Sequence, residues 1–390
     1  MSEVNTKKYA DAACIRCEEY DDAEVEKALR EALALCNGLE WLKPDMKVAL
    51  KANLVVGKDP AAAATTHPVV LAALTKILLE NGAAKVTVGD SPSGLYTKPA
   101  LEHVYKASGL EKVREAGAEL NLNVDTKEVS FPEARKARNF TITSWLLEAD
   151  AVVDVCKLKS HGMMGMTAAV KNLFGMIPGT MKPEYHFLYK DENDFADMIV
   201  DLNEYIRPVL AIADAVVGME GNGPTMGTPR KIGAIIASRT TYAADIACAR
   251  MIDVDPDTIP TISVAKARNI KGADANDVVI AGNAKDLVIK DFNKIVAHSG
   301  IHFEGKGGAF GRLKEKIFGM ALETKPLPEK KTCISCGKCA NICPAKAITM
   351  KNGLPDIDRS KCIHCFCCQE FCPAGAMKVH RTWIARLFLK

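Results

Sequence analysis

From Asp21 to Cys36, apolar residues recur at Val25, Ala28, Leu29, Ala32 and Leu33, the spacing of one helix face, and Asn37-Gly38 stops it. VALKANLVV, from Val48 to Val56, reads as a buried strand. Thr66 stands where it would cap a second helix with Pro68 in the first turn; VVLAALTKILL supplies its packed face, and Asn81-Gly82 ends it. Short apolar runs follow: KVTVGD from Lys85, AVVDVCKL from Ala151, VLAIADAVVG from Val209 and KIGAIIAS from Lys231, each leading into polar or glycine-rich residues. Strands alternating with helices predict an α/β domain over residues 1–320, with a mainly parallel sheet covered by helices on both faces.

Beyond it, EGKGGAFGRLKEK (304–316) reads as a surface loop running into a short helix, and ALETKPLPEKK (321–331) as a linker. The tail, 379–390, is amphipathic, with Trp383, Ile384, Leu387 and Phe388 opposite Arg381, Arg386 and Lys390. It is expected to pack on the body or on a second subunit. The 390 residues are 48% hydrophobic and 25% charged, ordinary for a globular chain. A net charge of +3 makes no case for nucleic acid or an anionic membrane. With no secretory leader pattern or spanning run at hand, the expected compartment is the cytoplasm, where thiols stay reduced and bind metal rather than form disulfides.

Nine of the fourteen cysteines lie in 333–372. Cys333, Cys336, Cys339 and Cys343 follow C-x2-C-x2-C-x3-C with Pro344 next, and Cys362, Cys365, Cys368 and Cys372 repeat the pattern 29 residues later, before Pro373. Three thiolates two residues apart wrap three corners of an iron–sulfur cube, and the fourth ligand comes from the other half. The expected sets are Cys333, Cys336, Cys339 and Cys372 for one [4Fe-4S] cluster and Cys343, Cys362, Cys365 and Cys368 for the other. Zinc ribbons also use C-x2-C pairs, but interleaved sets ending in Cys-Pro fit zinc badly. Cys367 falls outside the frame as an extra thiol. Eight basic residues face four acidic ones over 329–378, partly offsetting the clusters' negative charge. The stretch 332–378 resembles the bacterial-type two-[4Fe-4S] ferredoxins, with Asn352-Gly353 at its hairpin turn.

In a parallel sheet, ligands bind beyond the carboxyl ends of the strands. There stand Lys51 and Asn53; Asp90, Ser91 and Ser93; Lys157, Lys159 and His161; and Glu220. In KLKSHGMMGMTAAVKNLFGMIPG, Gly162 and Gly165 precede a helix expected over Thr167–Phe174. Its free N–H groups, with Lys157, Lys159 and His161, suit a small anion. Lys171 and Asn172, a turn further on, are additional binding candidates, and Asp90 and Glu220 are acid/base or metal candidates. The competing reading is a buried strand end with snorkelling lysines and a methionine-filled core; polar residues recurring after several strands favour the site. Gly221, Gly223 and Gly227 have the wrong spacing for a dinucleotide loop, and no phosphate-binding G-x4-G-K-[ST] loop exists. Cys14 and Cys17 form one C-x2-C pair and Cys156 precedes Lys157; ordinary strand positions explain all three.

LKANLVVG, THPVV, VGDSPSG and VCKLKSHGMMGMTAAVKNLFGMIPG together resemble a widespread prokaryotic family catalogued as a domain of unknown function, over residues 10–300. Its members often carry a ferredoxin module. The resemblance implies a shared fold and a shared pocket, and supplies no substrate. The expected function is that of an iron–sulfur redox protein, an oxidoreductase or reductive activase. Its clusters would pass electrons to or from a small anionic substrate or cofactor, with a redox partner protein. The alternative is a non-catalytic carrier or metallocentre-assembly helper that docks a partner enzyme.

Some fifty residues bury too little apolar area to fold unaided. Stripping the iron with a chelator is therefore expected to unfold 332–378 and spare the larger domain, read as proteolysis confined to the terminal segment as the cluster absorbance disappears.

Overall fold

A computed structural model describes residues 9–295 and 325–380. Strands β1 (Ala12–Arg16), β2 (Lys47–Ala52), β3 (Lys85–Gly89) and β4 (Glu119–Leu120) are followed by a separate hairpin, β5 (Thr126–Ser130) and β6 (Asn139–Thr143). Then come β7 (Ala151–His161), β8 (Gly165–Thr167), β9 (Leu210–Glu220), β10 (Thr228–Ser238) and β11 (Ile280–Gly282). Apart from the hairpin they form a nine-stranded sheet in the order β11-β1-β10-β9-β7-β2-β3-β4, with β8 folded back on β7. The pairings are parallel except where β10 meets β1 and β9 and where β8 meets β7. The mainly parallel α/β sheet is therefore as expected. A loop rather than a helix joins β9 to β10, which makes that pair antiparallel.

Alternation along the strands shows why both faces are covered. β7 turns Val153 and Val155 to the core under the helices Asp22–Cys36 and Pro68–Glu80, and Cys156 and Leu158 to the opposite core. β9 places Ala211, Ala213 and Ala215 opposite Ala243, Ala244 and Ala247 of the helix Thr241–Met251, all buried, so small residues meet where the helix lies close.

Local readings fared unevenly. Asp22–Cys36 is helical, capped by Asp21 and stopped by Asn37 in the left-handed region. The second helix starts as expected at Pro68, but His67 caps it, its ring Nδ1 accepting from the Val69 N–H. Thr66 is diverted to the sheet, donating to the Val155 carbonyl and accepting from the Asn53 N–H. The helix expected over Thr167–Phe174 shrinks to Ala169–Asn172, followed by a tight turn through Met176, because β8 claims Gly165–Thr167. Its leading N–H groups, on Ala169 and Val170, are taken by the buried Asp245 carboxylate. The protein's own acid thus fills the place expected for an anion.

Residues 325–380 form a small α+β unit. Lys325–Pro328, expected within the linker, is a strand paired with Met377–His380, at the start of the expected tail. The hairpin Ile348–Lys351/Leu354–Ile357 turns at Asn352-Gly353, both with positive φ. The glycine-rich segment 304–316 and the tail from 381 lie outside the described residues.

This unit is seated on the sheet's edge. Phe366 is buried in the core of the large domain, and Gly162 lies flush beneath its ring; a Cβ there would meet the ring at 3.0 Å. The Gln369 amide donates to the Asn222 and Gly223 carbonyls at 2.8 and 3.0 Å, and the Val379 N–H donates to the Asn222 side chain at 2.9 Å. Phe366→Ala empties a buried ring site and is expected to destabilise this seam by about 3–5 kcal/mol. Denaturant unfolding of the iron-loaded chain should show the loss, with iron content retained.

Candidate functional site

Three parallel strands bring polar residues to one edge. Asn53 follows β2, Asp90 follows β3, and Lys159 and His161 end β7, so they converge beyond the carboxyl ends. With Lys171, Asn172 and Lys182 they line a cavity of about 50 Å³, room for a few waters or a single acidic group. Gly175 permits the closeness: a Cβ there would sit 2.3 Å from Asp90 Oδ1 and 2.5 Å from Lys51 Nζ.

The cations are held tightly. Lys51, buried behind the cavity, pairs with Asp90 at 2.8 Å and donates to the Ala52 carbonyl. Lys159 donates to Asn53 Oδ1 at 2.6 Å and to the Ala64 carbonyl at 2.9 Å. Lys182 donates to the Ser91 and Ile177 carbonyls. Lys171 lies over the rings of Phe174 and Phe195, 5.3 and 5.7 Å from their centres. Asn172 ties the floor together, donating to Asp154 at 2.6 Å and accepting from Asn53 at 2.9 Å. Ser91 Oγ, also on the lining, is buried without a partner.

Burial pushes Lys159 and Lys182 down to about 7, and lowers Lys171 as well. His161 falls to about 4, chiefly from burial. Its Nδ1 accepts from the Met163 and Met164 N–H groups at 3.1 and 3.0 Å, so the neutral ring carries its proton on Nε2. That proton points at Glu370 Oε1, 3.2 Å away. Burial alone would raise Glu370, but the His161 hydrogen bond and the Lys171, His161 and His186 charges outweigh it and hold it near 2.

Two candidates sit elsewhere. Lys157 is buried in a separate cluster, bonded to Tyr20 at 2.6 Å and Asp214 at 3.0 Å, with the Tyr20 ring stacked on His67. A register shift between Lys157 and Lys159 separates the two lysines. Glu220 is the last residue of β9 and accepts from the Asn293 N–H. Neither lines the cavity. Gly162 and Gly165 do not line it either: the first makes room for Phe366, and the second supplies a positive φ where β7 turns into β8. Cys14, Cys17 and Cys156 are buried free thiols, raised by burial and unreactive for that reason.

Sequence reasoning did not single out Lys182 or Glu370 as site residues. For Lys182 no local signal existed. For Glu370 one did: at the 29-residue offset, Gly337, Ala340 and Asn341 of the first half become Phe366, Gln369 and Glu370. These departures from the repeat are the residues that meet the large domain.

Charge links cysteines across the two halves, Cys368 feeling Cys343 and Cys339 as well as Cys365 and Cys362. Cys339 feels the charges of Cys372 and Cys333, and Cys362 those of Cys365 and Cys343. The halves also match in detail, since the Ala347 N–H donates to Cys343 Sγ at 3.3 Å and the Ala376 N–H to Cys372 Sγ at 3.2 Å. Such bonds stabilise thiolate ligands, so the donor set fits two cubes. Among the described residues no three His, Cys, Asp or Glu side chains close up as the ligands of a single metal ion do. The two expected ligand sets differ in exposure: Cys336 of the first is exposed, whereas Cys343, Cys365 and Cys368 of the second are buried.

Comparison with known proteins places both parts. The family described as "Domain of unknown function (DUF362)" matches residues 48–250, and a 4Fe-4S dicluster domain matches 325–373. The thylakoid-associated protein sll1697 of Synechocystis sp. is 31% identical over 286 residues, 71% of this chain and 85% of that protein. The chain belongs to the DUF362 family and carries two [4Fe-4S] clusters. Two solved structures are similar at low identity. A Thermotoga maritima protein (13% identical, TM-score 0.38) aligns over 59% of this chain and 58% of its own. The lactate racemase apoprotein of Thermoanaerobacterium thermosaccharolyticum (12%, TM-score 0.41) aligns over 62% and 57%. The chain thus spans under two thirds of either structure. No helix among the described residues is long and apolar enough to cross a membrane.

The lysines fix a pH dependence. Lys159 and Lys182 are cationic below about 7 and neutral above it. Sulfate, whose charge is constant there, should bind more weakly as pH rises through that value when followed by calorimetry, and Lys159→Met should flatten the change. The ligand-free protein should behave oppositely. Between about 7 and the ordinary 10.5 the unfolded chain holds these protons and the folded one does not, so stability rises with pH in that window.

Proposed function

We propose that this DUF362 member is an iron–sulfur redox protein whose two clusters exchange electrons with a small anion held in the lysine-lined cavity. Cys333, Cys336, Cys339 and Cys372 ligate one cluster, and Cys343, Cys362, Cys365 and Cys368 the other. One observation carries the reading. Glu370, two residues from both Cys368 and Cys372, forms part of the cavity wall and is bonded to His161. A segment that holds the clusters is thus itself a wall of the binding site, which keeps the electron path short.

The chain's own groups divide the work. Lys159, Lys171 and Lys182 attract the anion, and Asn53 and Asn172 position Lys159 and the floor. The clusters, when present, supply and accept single electrons. Lys159, titrating near neutral pH, is placed to give or take a proton as charge on the ligand changes. Asp90 acts through Lys51 and the cavity floor rather than as a metal ligand. The exposure of Cys336 supports the first cluster as the one that meets a redox partner protein, and the burial of Cys343, Cys365 and Cys368 supports an inward second cluster. Assembly of such clusters suits a reducing compartment such as the cytoplasm, in agreement with the buried free thiols of the large domain.

The test is anaerobic. With both clusters reduced, at least one member of a panel of small carboxylates and oxyanions should speed cluster reoxidation, and Lys159→Ala should lower that effect about tenfold or more. Reoxidation indifferent to every ligand, with the variant matching the parent at equal iron content, would instead mark an electron carrier whose large domain docks a partner enzyme.

A further inference from the structure

Beside the basic cavity lies a larger cleft of about 640 Å³, within the range of roughly 300–1,000 Å³ that small-molecule sites occupy. It opens at the seam between the large domain and the cluster unit. Ser93 and Glu370 line both spaces, so they are adjoining chambers of one site. Their balance of polar and apolar surface differs. The inner chamber is cationic, whereas the outer wall exposes mainly apolar surface from Val56, Leu95, Met226, Ile342, Phe371 and Pro373, with Lys58 and Lys338 also on it. Leu95 is 71% exposed there, a large apolar side chain left in water at the edge of the cleft. Cys372, the proposed cluster ligand, is also on the outer wall, and Thr225 Oγ1 is buried on that wall without a partner.

We propose that the two chambers together bind a planar aromatic redox carrier bearing an anionic arm, with its ring in the outer chamber against Cys372 and its arm among Lys159, Lys171 and Lys182. This rests on the function proposed above and names the ligand class for the same site. The inner chamber is too small for a whole carrier and the outer presents mainly apolar surface, so each suits one end of an amphipathic molecule. The exchange balances. Each cluster, reduced by the partner protein, gives up one electron. The ring takes both electrons with two protons from solvent, to which the outer chamber opens, and becomes its dihydro form. The reverse sequence oxidises the dihydro form.

Four probes applied to the iron-loaded chain test it: flavin mononucleotide, riboflavin, naphthoquinone sulfonate and sulfate. Flavin mononucleotide or the quinone sulfonate should bind, and its ring absorbance should bleach when the clusters are reduced; which of the two does so identifies the ring. Leu95→Glu, at an exposed position, should weaken that probe about tenfold and leave sulfate binding as it was. Lys171→Ala should weaken both sulfate and the anionic ring about tenfold, with a smaller loss for riboflavin. Sulfate binding that depends on Lys171, with no ring compound bound or with ring binding indifferent to Leu95→Glu, would overturn the carrier and spare the anion site. Failure of sulfate and ring compounds alike would overturn both.

Discussion

The structure depends on charge withdrawn from water. Lys51, Lys159 and Lys182 are buried at one edge of the sheet, with Lys171 alongside them. Removing an ammonium group from solvent costs several kcal/mol unless donors and counter-charges compensate. Asp90 answers Lys51, and backbone carbonyls answer Lys159 and Lys182. The remaining carboxylate of the cavity, Glu370, comes from the cluster unit. Docking that unit therefore completes the electrostatics of the pocket as well as burying Phe366. An excess of positive charge still remains, which is why an anion is the natural guest.

The same contact explains the asymmetry of the duplicated tail. A free two-cluster module has no reason to treat its halves differently. Here the first half keeps Gly337, Ala340 and Asn341 and leaves Cys336 in solvent, while the second places Phe366, Gln369 and Glu370 against the large domain. One half meets water and the other meets the sheet. Exposure also bears on cluster potential, since solvent and hydrogen bonds to sulfur both shift it. The duplication thus became directional by changing a few side chains without altering the ligand frame.

Where sequence reasoning erred, competition for polar groups was the cause. Thr66 has the right residue type and position to cap a helix, yet its hydroxyl serves two strand ends while His67 caps instead. The N–H groups expected to receive an anion are engaged by Asp245, 75 or more positions along the chain. Lys157 and Lys159 look equivalent in the sequence, and a register shift sends one to Asp214 and the other to the cavity. None of these outcomes follows from local spacing alone, because each depends on which partners the fold brings within hydrogen-bond range.

Ligand spacing and side-chain periodicity are local, so the sequence alone determined the iron–sulfur module, the alternating strands and helices, and the family. It also indicated the strand ends at which Asn53, Asp90, Lys159 and His161 would be found. Only the tertiary structure decided that Lys182 and Glu370 join them, that Lys157 and Glu220 do not, and that the cluster unit forms a wall of the site. Those outcomes depend on contacts between residues as far apart as 161 and 370. Buried charge is stabilised by whichever groups the packed fold brings within a few ångströms, and chain order does not encode that distance.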